Sequence, residues 1–129
     1  MISTQTILLV EDDKFLSTLL KNRMEKGGLS VVHASDGEEA INILRTSSKP
    51  SLILLDIILP KKNGFEVLEE IQRDSEFNKI PVIIISNLGQ DEDMSKGKDL
   101  GAFAYYVKAK MSIDDLVAKV KSFIADTAT

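Results

Sequence analysis

Four places in the sequence carry groups able to do chemistry together. Glu11, Asp12 and Asp13 follow the apolar run that ends at Val10. Asp56 interrupts an aliphatic run, SLILLDIILPKKNG, with Leu52 to Leu55 before it and Ile57 to Leu59 after it. Ser86 closes PVIIIS, and Lys108 closes AYYVK. A carboxylate buried without a partner costs on the order of several kcal/mol, so Asp56 demands a compensating charge nearby. Carboxylates converging from separate segments repel one another unless a cation joins them. An all-oxygen set with room for water suits Mg²⁺, and the Lys108 ammonium supplies a second positive charge. Mg²⁺ and Lys108 could then neutralise phosphoryl oxygens, with Ser86 donating a hydrogen bond to a third. Asp56 would be the nucleophile, since carboxylates form acyl phosphates. The chemistry this set suggests is phosphoryl transfer onto Asp56.

These residues are far apart in the chain, and only the fold can gather them. Five short runs rich in Ile, Val and Leu read as strands: Thr6–Val10, Leu29–Ala34, Ser51–Leu55, Ile80–Ile85 and Phe103–Val107. Three of them lack period-two alternation, as strands buried on both faces do. Amphipathic stretches separate them. The first helix carries Phe15, Leu16, Leu19, Leu20 and Met24 on one face and stops at Gly27-Gly28. The second is expected to start at a capping box of Ser35 with Glu38 and to turn Ala40, Ile41 and Leu44 inward. The third follows Asn63-Gly64 with Phe65, Leu68 and Ile71, and the fourth, about 91–100, is weak, with Gly97 and few apolar residues. The fifth opens with Ser112 and Asp115, followed by Ile113, Leu116, Val117, Val120 and Phe123. Residues past Phe123 are expected to fray. Alternating strands and helices imply βαβ units and an α/β, doubly wound parallel sheet covered on both faces. In that class ligands bind beyond the carboxyl ends of the strands, where the chemically able residues stand.

Bulk properties narrow the rest. A chain of 129 residues, 43% hydrophobic and 28% charged, fits one domain with a core of its own. Its net charge of -4 argues against a basic nucleic-acid footprint. It has no cysteine, which excludes disulfides and zinc–thiolate sites. MISTQT lacks a basic start and a long apolar stretch, and the run around Asp56 is too short to span a bilayer. The expectation is a cytoplasmic protein without a membrane or nucleic-acid partner.

At this point the residues resemble a known family, the receiver domains of two-component response regulators, similar to the chemotaxis receiver. ILLVEDD resembles the family's first strand and acidic pair, LLDIILPKKNGFE its phosphoacceptor strand and Pro–Gly loop, and PVIIISN and GAFAYYVK its fourth and fifth strands. Each segment alone is weak; all four in order are specific, and they extend over essentially the whole chain. The resemblance implies a flavodoxin-like (βα)5 sandwich with strand order 2-1-3-4-5, a single receiver domain over 1–129 and no output domain. It makes Asp56 the phosphoacceptor, with Ser86 and Lys108 contacting the phosphoryl group. It assigns Mg²⁺ to Glu11, Asp12, Asp56 and the backbone carbonyl of Ile58. Tyr105 matches an aromatic whose rotamer responds to phosphorylation, with Ser86 as its switch partner. Ile58 and Leu88 match side chains that flank the approach of water to the acyl phosphate. The implied partners are a sensor histidine kinase or histidine phosphotransfer protein upstream, contacted near the first helix and the active-site loops. The resemblance further implies an output partner, a protein target met by the fourth helix, fifth strand and fifth helix. Three positions depart from the family pattern: Ala109 stands where proline is usual, which favours a trans bond after Lys108; Leu59 replaces methionine; and Phe103 replaces a polar residue.

Plainer readings stand beside these. Asp56 alone could be a turn or cap carboxylate, Ser86 a loop hydroxyl and Lys108 a surface lysine. Asp13 is read as a cap for the first helix. Tyr105 and Tyr106 should alternate faces, one of them plain core. His33 reads as a solvated strand-end residue, Lys61 and Lys62 as exposed loop. The alternative function is a non-phosphorylated receiver-like interaction module. An enzyme is disfavoured: nucleotide or flavin binding would want a Gly- or Ser/Thr-rich loop after the first strand. An aspartyl phosphatase would want a second acid where Ile58 stands.

Overall fold

The aliphatic runs become strands because their Ile, Val and Leu side chains fit a pleated surface covered on both sides. The computed structural model describes residues 5–127. In chain order it contains β1 (Thr6–Val10), α1 (Lys14–Lys26), β2 (Ser30–Ala34), α2 (Gly37–Thr46), β3 (Leu52–Leu55) and α3 (Gly64–Arg73). There follow β4 (Val82–Ser86), α4 (Asp91–Asp99), β5 (Ala104–Val107), a 3-10 turn (Lys108–Lys110) and α5 (Ile113–Thr127). The sheet is wholly parallel with order β2-β1-β3-β4-β5. The α/β, doubly wound expectation and the 2-1-3-4-5 order both hold. No helix among the described residues is long and apolar enough to cross a membrane.

Alternate residues of each strand feed two apolar layers. Leu8, Val10, Ile53, Leu55, Ile84 and Tyr105 pack with the inner faces of α2 and α3. Ile7, Leu9, Leu52, Leu54, Ile83 and Ile85 pack with Leu20, Met24, Leu116 and Val120 of α1 and α5. Tyr105 and Tyr106 therefore do fall on opposite faces. Trimming one of the fully buried leucines to alanine in such a core costs about 2–5 kcal/mol.

Local chemistry sets the helix starts. Asp13 caps α1 by accepting from the Leu16 amide at 3.0 Å, the role expected of it. Asn63 and Glu66 form a reciprocal capping box on α3, as Ser112 and Asp115 do on α5. At α2 the expectation shifts by one residue. Asp36, not Ser35, is the cap and accepts from the Glu39 amide, while Glu39 reaches back to the Ser35 amide. α4 has no side-chain cap, which matches its weak signal.

Other boundaries moved for identifiable reasons. β4 starts at Val82 rather than Ile80, because Ile80 closes a turn onto Phe77 and Pro81 has no amide to donate. Of the residues expected on one face of the first helix, Leu20 and Met24 are buried as expected, but Phe15 is 80% exposed. α5 runs on past Phe123 to Thr127 and buries Ile124, so the expected fraying does not begin there. Residues 128–129 and the first four, part of the segment read for a leader, lie outside the described residues.

Candidate functional site

The register of the parallel sheet draws the chemically able residues to one end. Val10 lies opposite Leu55, Leu55 opposite Ile84, and Ser86 opposite Val107. The residues that follow, Glu11 and Asp12 after β1, Asp56 after β3 and Lys108 after β5, therefore emerge from the same edge as Ser86.

Carboxylate oxygens of Glu11, Asp12 and Asp56 lie within 4.8 Å of one another. Glu11 and Asp56 are buried; Asp12 faces solvent. The Lys108 ammonium bridges the two buried acids, donating to Glu11 Oε1 at 2.5 Å and Asp56 Oδ2 at 2.8 Å. Asp56 Oδ1 accepts from the Ile58 amide at 3.3 Å, and Glu11 Oε2 from the Asp13 amide at 3.1 Å. This answers the energetic problem of an aspartate in an aliphatic run: Asp56 shares a lysine and a backbone donor. Burial pushes the Glu11 carboxyl up, and Asp56 adds to that; the hydrogen bond from Lys108 opposes both without cancelling them. Burial alone would lower Lys108, but its bonds to Asp56 and Glu11 outweigh burial and hold the ammonium above its usual value.

Ser86 is fully buried, and its Oγ accepts from the Leu88 amide at 3.3 Å. Tyr105 is 5% exposed, with its hydroxyl donating to the Leu88 carbonyl. The ring is thus already inside, tied to the loop between β4 and α4. Burial, with Asp93 nearby, pushes the Tyr105 hydroxyl pKa up. Ile58 is 56% exposed beside the crevice. The described residues contain no cis peptide, so the bond from Lys108 to Ala109 is trans, and Lys108 still reaches both acids.

Two sequence readings change here. His33 is not a freely solvated strand end: its Nε2 lies 2.6 Å from the Glu11 carbonyl oxygen, to which it can donate. The signal lay in strand order, since only β2 beside β1 sets Leu9 opposite His33. Lys62 is not fully exposed: it pairs with Glu70 of α3, while Lys61 pairs with Asp36 at 3.6 Å. Phe103 is exposed, with its ring 4.6 Å from that of Phe123.

Residues 7–121 match the model of the response regulator receiver domain. The chain belongs to that family. Solved structures resemble this receiver closely. The phosphorylated cyanobacterial phytochrome response regulator RcpA is 35% identical with a TM-score of 0.83, over 95% of this chain and 92% of that one. The Mn²⁺-bound form of response regulator Rcp1 is 32% identical with a TM-score of 0.80, over 94% and 92%. Among sequences, the transcriptional regulatory protein CpxR of Escherichia coli strain K12 is 37% identical over 92% of this receiver and 48% of CpxR. The receiver spans about half the length of the curated relatives it matches. Those relatives are regulators by name.

Proposed function

We propose that the receiver accepts a phosphoryl group on Asp56 and passes the signal on by binding another protein. The donor is the phosphohistidine of a sensor histidine kinase or a histidine phosphotransfer protein. An Asp56 carboxylate oxygen attacks phosphorus, the P–N bond breaks, and the departing imidazole nitrogen takes up a proton. The observation that carries this reading is the Lys108 ammonium lying between buried Glu11 and Asp56 at the strand-end crevice. Lys108 can stay with the phosphoryl oxygens as charge moves onto them, and the Ser86 hydroxyl can donate to another.

The acidic set fits Mg²⁺. Its donors are all oxygen, its three carboxylates converge within one ion's reach, and exposed Asp12 leaves room for the waters that Mg²⁺ retains. Glu11, Asp12, Asp56 and the Ile58 carbonyl are proposed to hold the ion, which would supply charge neutralisation for the transferring phosphoryl group. The Mn²⁺-bound Rcp1 and phosphorylated RcpA support both halves of the reading.

Ser86 and Tyr105 are proposed as the switch. Because the Tyr105 ring is already buried, the rearrangement we propose is movement of Ser86 and of the Leu88 carbonyl that Tyr105 holds. We further propose a cytoplasmic regulator acting through protein contacts rather than through DNA contacts of this domain. The first helix and crevice loops meet the phosphodonor, and α4, β5 and α5 meet the target.

The test is incubation with Mg²⁺ and a small acyl-phosphate donor, read by intact mass. One added phosphoryl group is expected, absent in Asp56→Asn. Chelation, or Asp12→Ala, should slow the reaction on the order of 10²-fold or more. A phosphoryl group that persists in Asp56→Asn would refute Asp56 as the acceptor, and no added phosphoryl group in the wild type would favour a non-phosphorylated interaction module.

A further inference from the structure

We propose that Gly37, at the start of α2 and outside the acidic crevice, is a positioning residue for the loop between β3 and α3. The proposal rests on the cation site described above and names a determinant of its affinity. The loop contains a tight turn in which the Lys62 amide donates to the Pro60 carbonyl at 2.7 Å, with Lys61 at φ 67°. A two-residue hydrogen bond around a positive φ is a rare and strained turn for a residue bearing a side chain. Such a conformation persists only where its surroundings hold it.

The start of α2 does the holding. A Cβ at position 37 would lie 2.1 Å from the Lys62 carbonyl oxygen, 2.7 Å from Lys62 Cβ and 2.8 Å from Val67 Cγ2. The nearest of these is backbone, so it cannot yield by a rotamer change; the loop itself must move. Helix propensity alone would favour alanine over glycine here, so the missing side chain serves the contact. Beside it, Asp36 caps α2 and pairs with Lys61, reaching across to the strained residue.

The same loop controls the crevice. The Ile58 amide donates to Asp56 Oδ1, and the Gly64 amide donates to the Ile57 carbonyl at 2.8 Å. With that end fixed, displacing Lys62 shifts the intervening segment, and with it the Ile58 backbone and the orientation of the Asp56 carboxylate. Partners one step removed from a metal site typically change its affinity about 10–100-fold.

The experiment is titration of the metal-free chain with Mg²⁺ by calorimetry, alongside its thermal midpoint. Gly37→Ala is expected to weaken Mg²⁺ binding on the order of tenfold. Lys61→Gly relieves the positive φ and removes the pair with Asp36. It should keep or raise the metal-free midpoint while weakening Mg²⁺ binding. Charge alone predicts the opposite sign, because removing a cation near a divalent site tightens binding. Val120→Ala, in the other core layer, should lower the midpoint and leave affinity unchanged. Absence of Mg²⁺ binding by the wild type would sink the cation site itself. Wild-type binding with unaltered or tighter binding in Lys61→Gly would overturn the positioning role and leave the site standing. So would wild-type affinity in a folded Gly37→Ala, or an equal loss in Val120→Ala. If Gly37→Ala does not fold, Lys61→Gly decides.

Discussion

Lys108→Met is expected to lose about 3–5 kcal/mol of folding stability near neutral pH without divalent cation. Methionine keeps most of the stem and removes only the charged head. What remains is Glu11, with a side chain 1% exposed, beside Asp56 at 6%, both left without the ammonium they share. Breaking a buried pair from one side is costly because the surviving charge stays desolvated; here two survive. The loss should depend on pH with a definite sign. Glu11 already has a folded pKa above its ordinary 4.5. A raised folded value means the protonated form favours the native state, so that stability is present below the ordinary value and lost as pH rises through the folded one. In the variant the opposing hydrogen bond is gone, and the Glu11 pKa climbs further. The deficit should therefore be largest near neutral pH and shrink on acidification to about pH 5. Lys108 in the wild type also has a raised folded pKa, so its contribution disappears only on the alkaline side, as pH rises through that value. Urea unfolding of both proteins at the two pH values measures this. A deficit below about 1 kcal/mol, the range of exposed pairs, or one that is flat with pH, would show that the bridge does not hold the crevice together.

The double variant Ile58→Asn with Leu88→Glu is expected to lose its phosphoryl group on the order of 10²-fold faster than the wild type. Hydrolysis needs a water in line with, and opposite to, the bond between phosphorus and Asp56. Ile58 and Leu88 are the side chains proposed to flank that approach. Ile58 stands 56% exposed beside the crevice, and Leu88 is half-buried, its amide held on Ser86 Oγ. Neither can accept a hydrogen bond from water, so neither can orient it, and their bulk excludes it. The wild type should then hold its signal for long periods, or rely on a separate phosphatase to end it. The measurement is decay of the phosphorylated protein after removal of donor. Equal decay in both proteins would dispose of the apolar gate without touching the assignment of Asp56.

How much of this was legible in the sequence varied with the range of the interaction that decides each feature. The strands could be read because a buried parallel strand is an uninterrupted aliphatic run, and the caps of α1 and α5 because each is settled within four residues. The cap of α2 slipped because Ser35 and Asp36 are both good caps with a glutamate three residues on, and local chemistry does not choose between them. Phe15 misled for a different reason: helical periodicity admits it to the apolar stripe, but only the position of the sheet decides where that stripe ends. The convergence of Glu11, Asp12, Asp56 and Lys108 could be anticipated because each follows a strand. The bonds of His33 to Glu11 and of Lys61 to Asp36 could not, since both depend on which strands and loops become neighbours across the fold.

The interior place of β1, between β2 and β3, has a consequence for how the molecule assembles. β1 pairs on one side with β2 and on the other with β3, both within the first half of the chain. By Leu55 three adjacent strands are complete, and β4 and β5 can only be added outward, one after the other. Synthesis from the amino end runs in the same direction. The β3 edge is therefore the growing front of the sheet, open until Val82–Ser86 arrive, and it is the place where a second half-made chain could pair wrongly. On this account the last strand to lock is the one that delivers Lys108, so the two buried acids wait for their counter-charge until folding is nearly finished.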